Sequence, residues 1–124
     1  MRQSSYKIGA AQKNILAIAG DHFITIPMKV TKTNVTDKLV NGVLEAGTLL
    51  NNKGSKVTTN VGSSDAWGIV FTDVDFTDSK GTEVVPVLIH GVVDTKKIKL
   101  DDTNHAKEIE VLKNIIFLGE KGEQ

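Results

Sequence analysis

Three histidines and one pair of closely spaced aspartates are the side chains here whose types and spacing could do chemistry. His22 follows Asp21, His90 sits inside an apolar run, and His105 falls in the first turn of a helix-like stretch. None has a second histidine four residues away, the spacing by which one helix face offers two imidazoles to zinc. A partly buried ring, hydrogen-bonded through its nitrogens, accounts for His90 without catalysis. Asp73 and Asp75 are two apart, so a regular strand would put both carboxylates on one face. Such a pair could act as acid and base or hold Ca²⁺. Calcium takes about six oxygens or more, and only Thr77 and Asp78 lie close by. A solvated strand end explains the same residues. His22, His90 and the Asp73/Asp75 pair are thus what a small hydrolase or metal-binding domain would use.

Other chemistry is poorly supplied. Gly9-Ala10-Ala11 and Gly62-Ser63-Ser64 lack the G-x-x-x-x-G-K-[ST] pattern of a phosphate loop, and Ser4, Ser5, Ser63 and Ser64 lack a G-x-S-x-G setting. With no cysteine, neither disulfides nor thiolate metal sites arise. Fifteen basic and 15 acidic residues cancel, whereas a nucleic-acid binder normally carries a basic excess. Lys96, Lys97 and Lys99 lie beside Asp94, Asp101 and Asp102 and read as a solvated, mixed-charge strand end. Aromatic residues are 5%, too few for a stacking platform. The expectation is a non-enzyme with no cofactor, no bound metal and no direct nucleic-acid partner.

The elements that would position any site are mostly strands. At 124 residues one domain is expected, burying roughly two-thirds of the unfolded chain's surface. No stretch approaches the roughly 18 apolar residues of a membrane span, and the Ile15–Ala19 run is short for a signal peptide. A soluble protein without membrane contact is expected. Ala66–Phe76 and Val84–Val93 are two apolar runs around a polar turn. The second is apolar almost throughout, which places it in a core rather than on a wet sheet face. Gly91 predicts a bulge or a close backbone approach, and Pro86 an edge position or a strand start.

Phe23–Thr31 alternates with period 2, with Ile24, Ile26, Met28 and Val30 on one face. Pro27 predicts an edge or a bulge. That edge could accept a strand from another chain, or could simply be protected by Pro27 and Lys29. Asn41-Gly42, Ala46-Gly47, Asn51-Asn52, Lys53-Gly54 and Gly62-Ser63 are turn signals. They predict one hairpin with Leu49 and Leu50 on one arm and Val57 on the other. Thr103–Phe117 is the one helix candidate. Asp101, Asp102, Thr103 and Asn104 would cap it, and Ile109, Leu112 and Ile116 would form its apolar stripe. Lys107, Glu108, Glu110 and Lys113 would face water, and Gly119 would end it. Met1–Asn14 shows no sustained period and reads as a mobile arm or a frayed terminus.

Several segments, in order, resemble the lambda-type phage head decoration protein family. They are E-A-G-T-L-L (Glu45–Leu50), W-G-I-V-F-T-D-V-D (Trp67–Asp75), V-L-I-H-G-V-V (Val87–Val93), Lys96–Leu100, a helix containing Leu112, and I-I-F-L-G (Ile115–Gly119). The resemblance runs from Val43 to Gly119 and stops short of the first 42 residues. It implies a small β-rich protein with one helical element that forms homotrimers. It also implies that the trimers sit at local three-fold positions of an expanded capsid and clamp the major capsid protein against packaged-DNA pressure. A flexible amino-terminal segment would order on the shell. The protein would be made in the host bacterial cytoplasm and end on the virion head.

The expected fold class is therefore mainly β with one carboxy-terminal helix (α+β), a small barrel-like or sandwich-like body with a flexible arm. Residues 1–22 form the expected arm, 23–119 the domain and 120–124 a loose tail. Ser4, Ser5, Tyr6, Ile8, Ile15, Leu16, Phe23, Ile24 and Ile26 are the expected capsid-contact residues. Another virion part, a head–tail connector or tail-tube subunit, is the alternative.

Overall fold

The computed structural model describes residues 15–17 and 23–119. In chain order it forms β1 (Ile24–Thr31), β2 (Val43–Leu44), β3 (Leu49–Leu50), β4 (Gly68–Val70), β5 (Val74–Asp75), β6 (Thr82–Asp94), α1 (His105–Val111) and β7 (Ile115–Leu118). The main sheet runs β1-β6-β4-β3, with β7 also paired to β6, and β2 and β5 form a separate two-stranded sheet. All pairs are antiparallel except β6 with β7. The architecture is mainly β with one helix near the carboxy terminus, as the residue pattern predicts. The sheets stay open, so the barrel-like alternative does not hold.

β6 explains its own composition. Val85 and Val87 pack into one apolar cluster with Val30, Leu44, Leu50, Val70 and Phe76. Leu88 and Val93 pack into the other, with Ile69, Leu49, Leu112 and Ile115. Successive residues on a strand point to opposite faces, so a strand covered on both faces must be apolar at consecutive positions. The central sheet is thus a partition between two small cores.

Pro86 lies within this central strand, against the expectation of an edge or a strand start. Two facts make room for it. Its carbonyl accepts from the Phe71 amide, so its backbone polar groups point away from β1. Pro27 faces it from β1, and the facing prolines occupy a pair that needs no ladder bond. Pro27 is on the edge strand, as expected. Gly91 is the close approach: a Cβ there would sit 3.1 Å from the Phe23 Cβ.

Three expected elements differ. The Ala66–Phe76 run forms two strands, β4 and β5, and not one, because the chain leaves the main sheet after Phe71 and β5 pairs with β2 instead. The expected hairpin after Leu50 reduces to one bridge, Leu50 to Lys56, around a turn in which the Asn51 side chain accepts from the Lys53 and Ser55 amides. Leu49 and Leu50 pair with β4. Finally, the helix ends at Val111, and Ile115–Leu118 becomes a strand parallel to Gly91–Asp94. β-branched and aromatic residues lose rotamer freedom in a helix and fit a pleated surface. The Ile-Ile-Phe run therefore gains more from β6's open ladder than from extending α1. Gly119, at φ +89°, follows a strand and not a helix.

Candidate functional site

The nine expected contact residues divide sharply. Ser4, Ser5, Tyr6 and Ile8 lie outside the described residues, as do His22 and the expected tail at 120–124. Ile15 is fully buried in the core, which removes it from any contact surface. Its carbonyl accepts from the Asp94 amide, the Ala17 amide donates to Val92, and Leu16 bridges Val93. Ile15–Ala17 is therefore sewn to β6 as part of the body, and the expected arm boundary at residue 22 is too late. Burial explains why: Ile15 is the apolar residue that closes the core over Val93. Phe23 is also engaged, stacked on Phe71 with ring centroids 5.2 Å apart. Ile26 is half-buried opposite Val87, and Ile24, 51% exposed, is the one of these side chains that faces mostly solvent.

The β1 edge offers less to an added strand than its sequence suggests. Because Pro27 and Pro86 form a pair without ladder bonds, the outward-facing backbone groups belong to Thr25, Pro27, Lys29 and Thr31. Pro27 has no amide proton to give. The Lys29 carbonyl is approached by Gly54 from the neighbouring turn, where an added Cβ would come within 2.9 Å. What remains open is short.

Apolar surface lies elsewhere. Trp67 (40% exposed) and Val111 border a groove of about 270 Å³ with Ile89, Leu112 and Ile115 on its walls. Ile116 and Leu118 on β7 are exposed as well. The Trp67 amide donates to the Leu50 carbonyl just before the pairing of β4 begins, and the residue stays partly exposed.

The acidic candidates are held apart in role. Asp73 accepts from the Ala46 amide, fixing the Glu45–Gly47 turn. Asp75 accepts from Thr77, whose hydroxyl and amide hold its carboxyl below the ordinary range. Asp73 fastens a distant turn and Asp75 its own local backbone. His90 is exposed on β6, not partly buried as expected. Among the described residues no group of three or more His, Cys, Asp or Glu gathers.

A second groove, of about 440 Å³, is lined by charged and polar side chains, and Glu108 from α1 is its notable component. Glu108 is 4% exposed, against the expectation that it faces water. Its Oε1 accepts from the Asp101 amide at 2.7 Å and its Oε2 from the Thr59 hydroxyl at 2.7 Å. Thr59 in turn touches Ser64 at 3.0 Å. One carboxylate thus joins the helix, the loop before it and the loop at Thr58–Asp65. Asp101 accepts from the Asn104 and Thr103 amides, which hold its own carboxyl below the ordinary range. At the groove's rim, Lys56 pairs with Asp37 at 2.5 Å and Lys99 pairs with Glu45. Glu108 gave no sequence signal, because its partners lie seven and 49 residues away.

No protein-family model, curated protein or solved structure matches this chain. The reading of function rests on the residues and on this geometry. No helix of the described residues is long and apolar enough to cross a membrane.

Proposed function

We propose that this chain is a phage head decoration protein. In this reading it binds the expanded shell as a homotrimer at local three-fold positions and holds the major capsid protein against the pressure of packaged DNA. The ordered run of family-like segments from Glu45 to Gly119 supports it, and so does the mainly β body with one helix. The observation that carries it is the anchoring of Ile15–Ala17 along Val92–Asp94. That anchor ties the first 14 residues to a rigid strand, so whatever they bind is coupled directly to the body.

Each arm pays about 1–2 kcal/mol per residue it orders on a partner. Three arms on one trimer recover that cost through effective concentration, with avidity up to about 10²–10⁴-fold above one arm. The exposed apolar side chains Trp67, Val111, Ile116 and Leu118 supply surface for contact between copies or with the shell.

Sedimentation of the purified protein with expanded and immature shells tests the reading. A trimer that binds expanded shells and ignores immature ones is expected. A strict monomer indifferent to both overturns it, and rings or tubes by electron microscopy point to a connector or tail-tube subunit.

A further inference from the structure

Glu108 is a buried carboxylate with no cation within ion-pair distance among the described residues, although three lysines line the same groove. Two of those lysines are engaged by other acids, Lys56 by Asp37 and Lys99 by Glu45. An ionised carboxylate has about four acceptor positions. Glu108 uses two, one for the Asp101 amide and one for the Thr59 hydroxyl. Buried charges in folded proteins are ordinarily paired. Here the missing partner has a place to sit, because the carboxylate lines a half-open groove of about 440 Å³.

We infer that this groove receives a lysine or arginine side chain of a partner protein, with Glu108 as its counter-ion. Leu49, Val57 and Leu100 line the groove beside Glu108 and suit the methylene stem of such a side chain. The hydroxyl of Thr59 and the backbone of Asp101 hold the carboxylate in place, so little ordering is left for the bound state. The occupant is a monocation on an apolar stem and not a free polyamine. Asp37, Asp101 and Glu108 balance Lys38, Lys56 and Lys99 around the opening, so the groove has no surplus negative charge to hold a polycation. This assignment rests on the groove alone and does not depend on the capsid reading.

The test titrates the full chain with n-butylammonium and ethylguanidinium, following backbone amide shifts by NMR. Saturable shifts at Thr58, Thr59, Asp101 and Glu108 are expected, with n-butanol and butyrate producing none. Glu108→Gln keeps an acceptor for Asp101 and a donor toward Thr59, so it should retain the wild-type spectrum and melt while binding either cation at least about tenfold more weakly. Butyrate or butanol binding as well as the cations, or no saturable shift with wild type, overturns the proposal. So does a Glu108 carboxyl that reads as protonated by its ¹³C shift at pH 7. Spermidine binding more tightly than butylammonium would overturn the partner side chain as occupant.

Discussion

Gly47 is where three pieces of chain meet with no space for a side chain. Its amide donates to Val70, its carbonyl accepts from Lys99, and a Cβ would collide with the Lys97 carbonyl oxygen. Its φ of +97° also lies where L side chains are strained. Gly47→Ala should cost about 2 kcal/mol or more, from left-handed strain and overpacking together. A thermal melt should fall by roughly 5–10 °C; an unchanged melt would show that the turn can move. At the same scale, Asp37, Asp75 and Asp101 have carboxyls held below their ordinary value. The causes are the hydrogen bond and charge of Lys56, the hydrogen bonds of Thr77, and the Asn104 and Thr103 amides respectively. A group with a lowered folded pKa stabilises the fold above its unfolded pKa and loses that contribution as pH falls through the folded value. Stability should therefore drop below about pH 4. Asp101→Asn should shrink the acid-induced drop measured by urea midpoints at pH 6 and pH 3, and an unchanged difference would remove Asp101 from the account.

Ile15–Ala17 is the smallest element with a large consequence. It satisfies backbone groups of Val92 and Asp94 and places Ile15 in the core. Deleting Met1–Asn14 should leave the melt unchanged within about 0.5 kcal/mol, because the two apolar clusters are built from Ile15 onward. Ile15→Ala in the full chain should cost about 2–5 kcal/mol. If the two changes were equally harmless, the strand would not belong to the body. In shell sedimentation the deletion should weaken binding, and undiminished binding would put the contact elsewhere. The α1–β7 region shows why helix periodicity misled. Ile109, Leu112 and Ile116 fit a 3.6-residue stripe, yet Ile115–Leu118 finds an open ladder along Gly91–Asp94. A periodic stripe reports which residues want burial; it does not report that a strand edge is waiting beside them.

As a whole the molecule is two small cores sharing one strand. Val87 serves one cluster and Leu88 the other, so neither core can be lost without disturbing β6. Unfolding should be a single cooperative transition, seen as coincident denaturant curves by Trp67 fluorescence and far-UV circular dichroism. Val87→Ala and Leu88→Ala should each shift the whole transition, Leu88→Ala by about 2–5 kcal/mol. Two separable transitions would mean that the clusters are independent.

Strand periodicity in Ile24–Thr31, the unbroken apolar run of β6 and the turn at Asn41-Gly42 were all legible from residue types, because each depends on local backbone geometry or on alternation along one segment. Pro27 likewise announced an edge through the amide it lacks. Tertiary structure alone decided the rest. It admitted Pro86 to the centre of a sheet by setting Pro27 opposite, turned Ile15 from arm to core, and ended α1 early in favour of β7. It also buried Glu108 between Thr59 and Asp101. In each case the deciding partner is distant in sequence or lies on another strand. A hydrogen-bond vacancy or an open ladder exists only once the chain has folded back on itself. That is why Asp73 and Asp75, conspicuous as letters, stay apart in role, while an unremarked glutamate lines the larger polar groove.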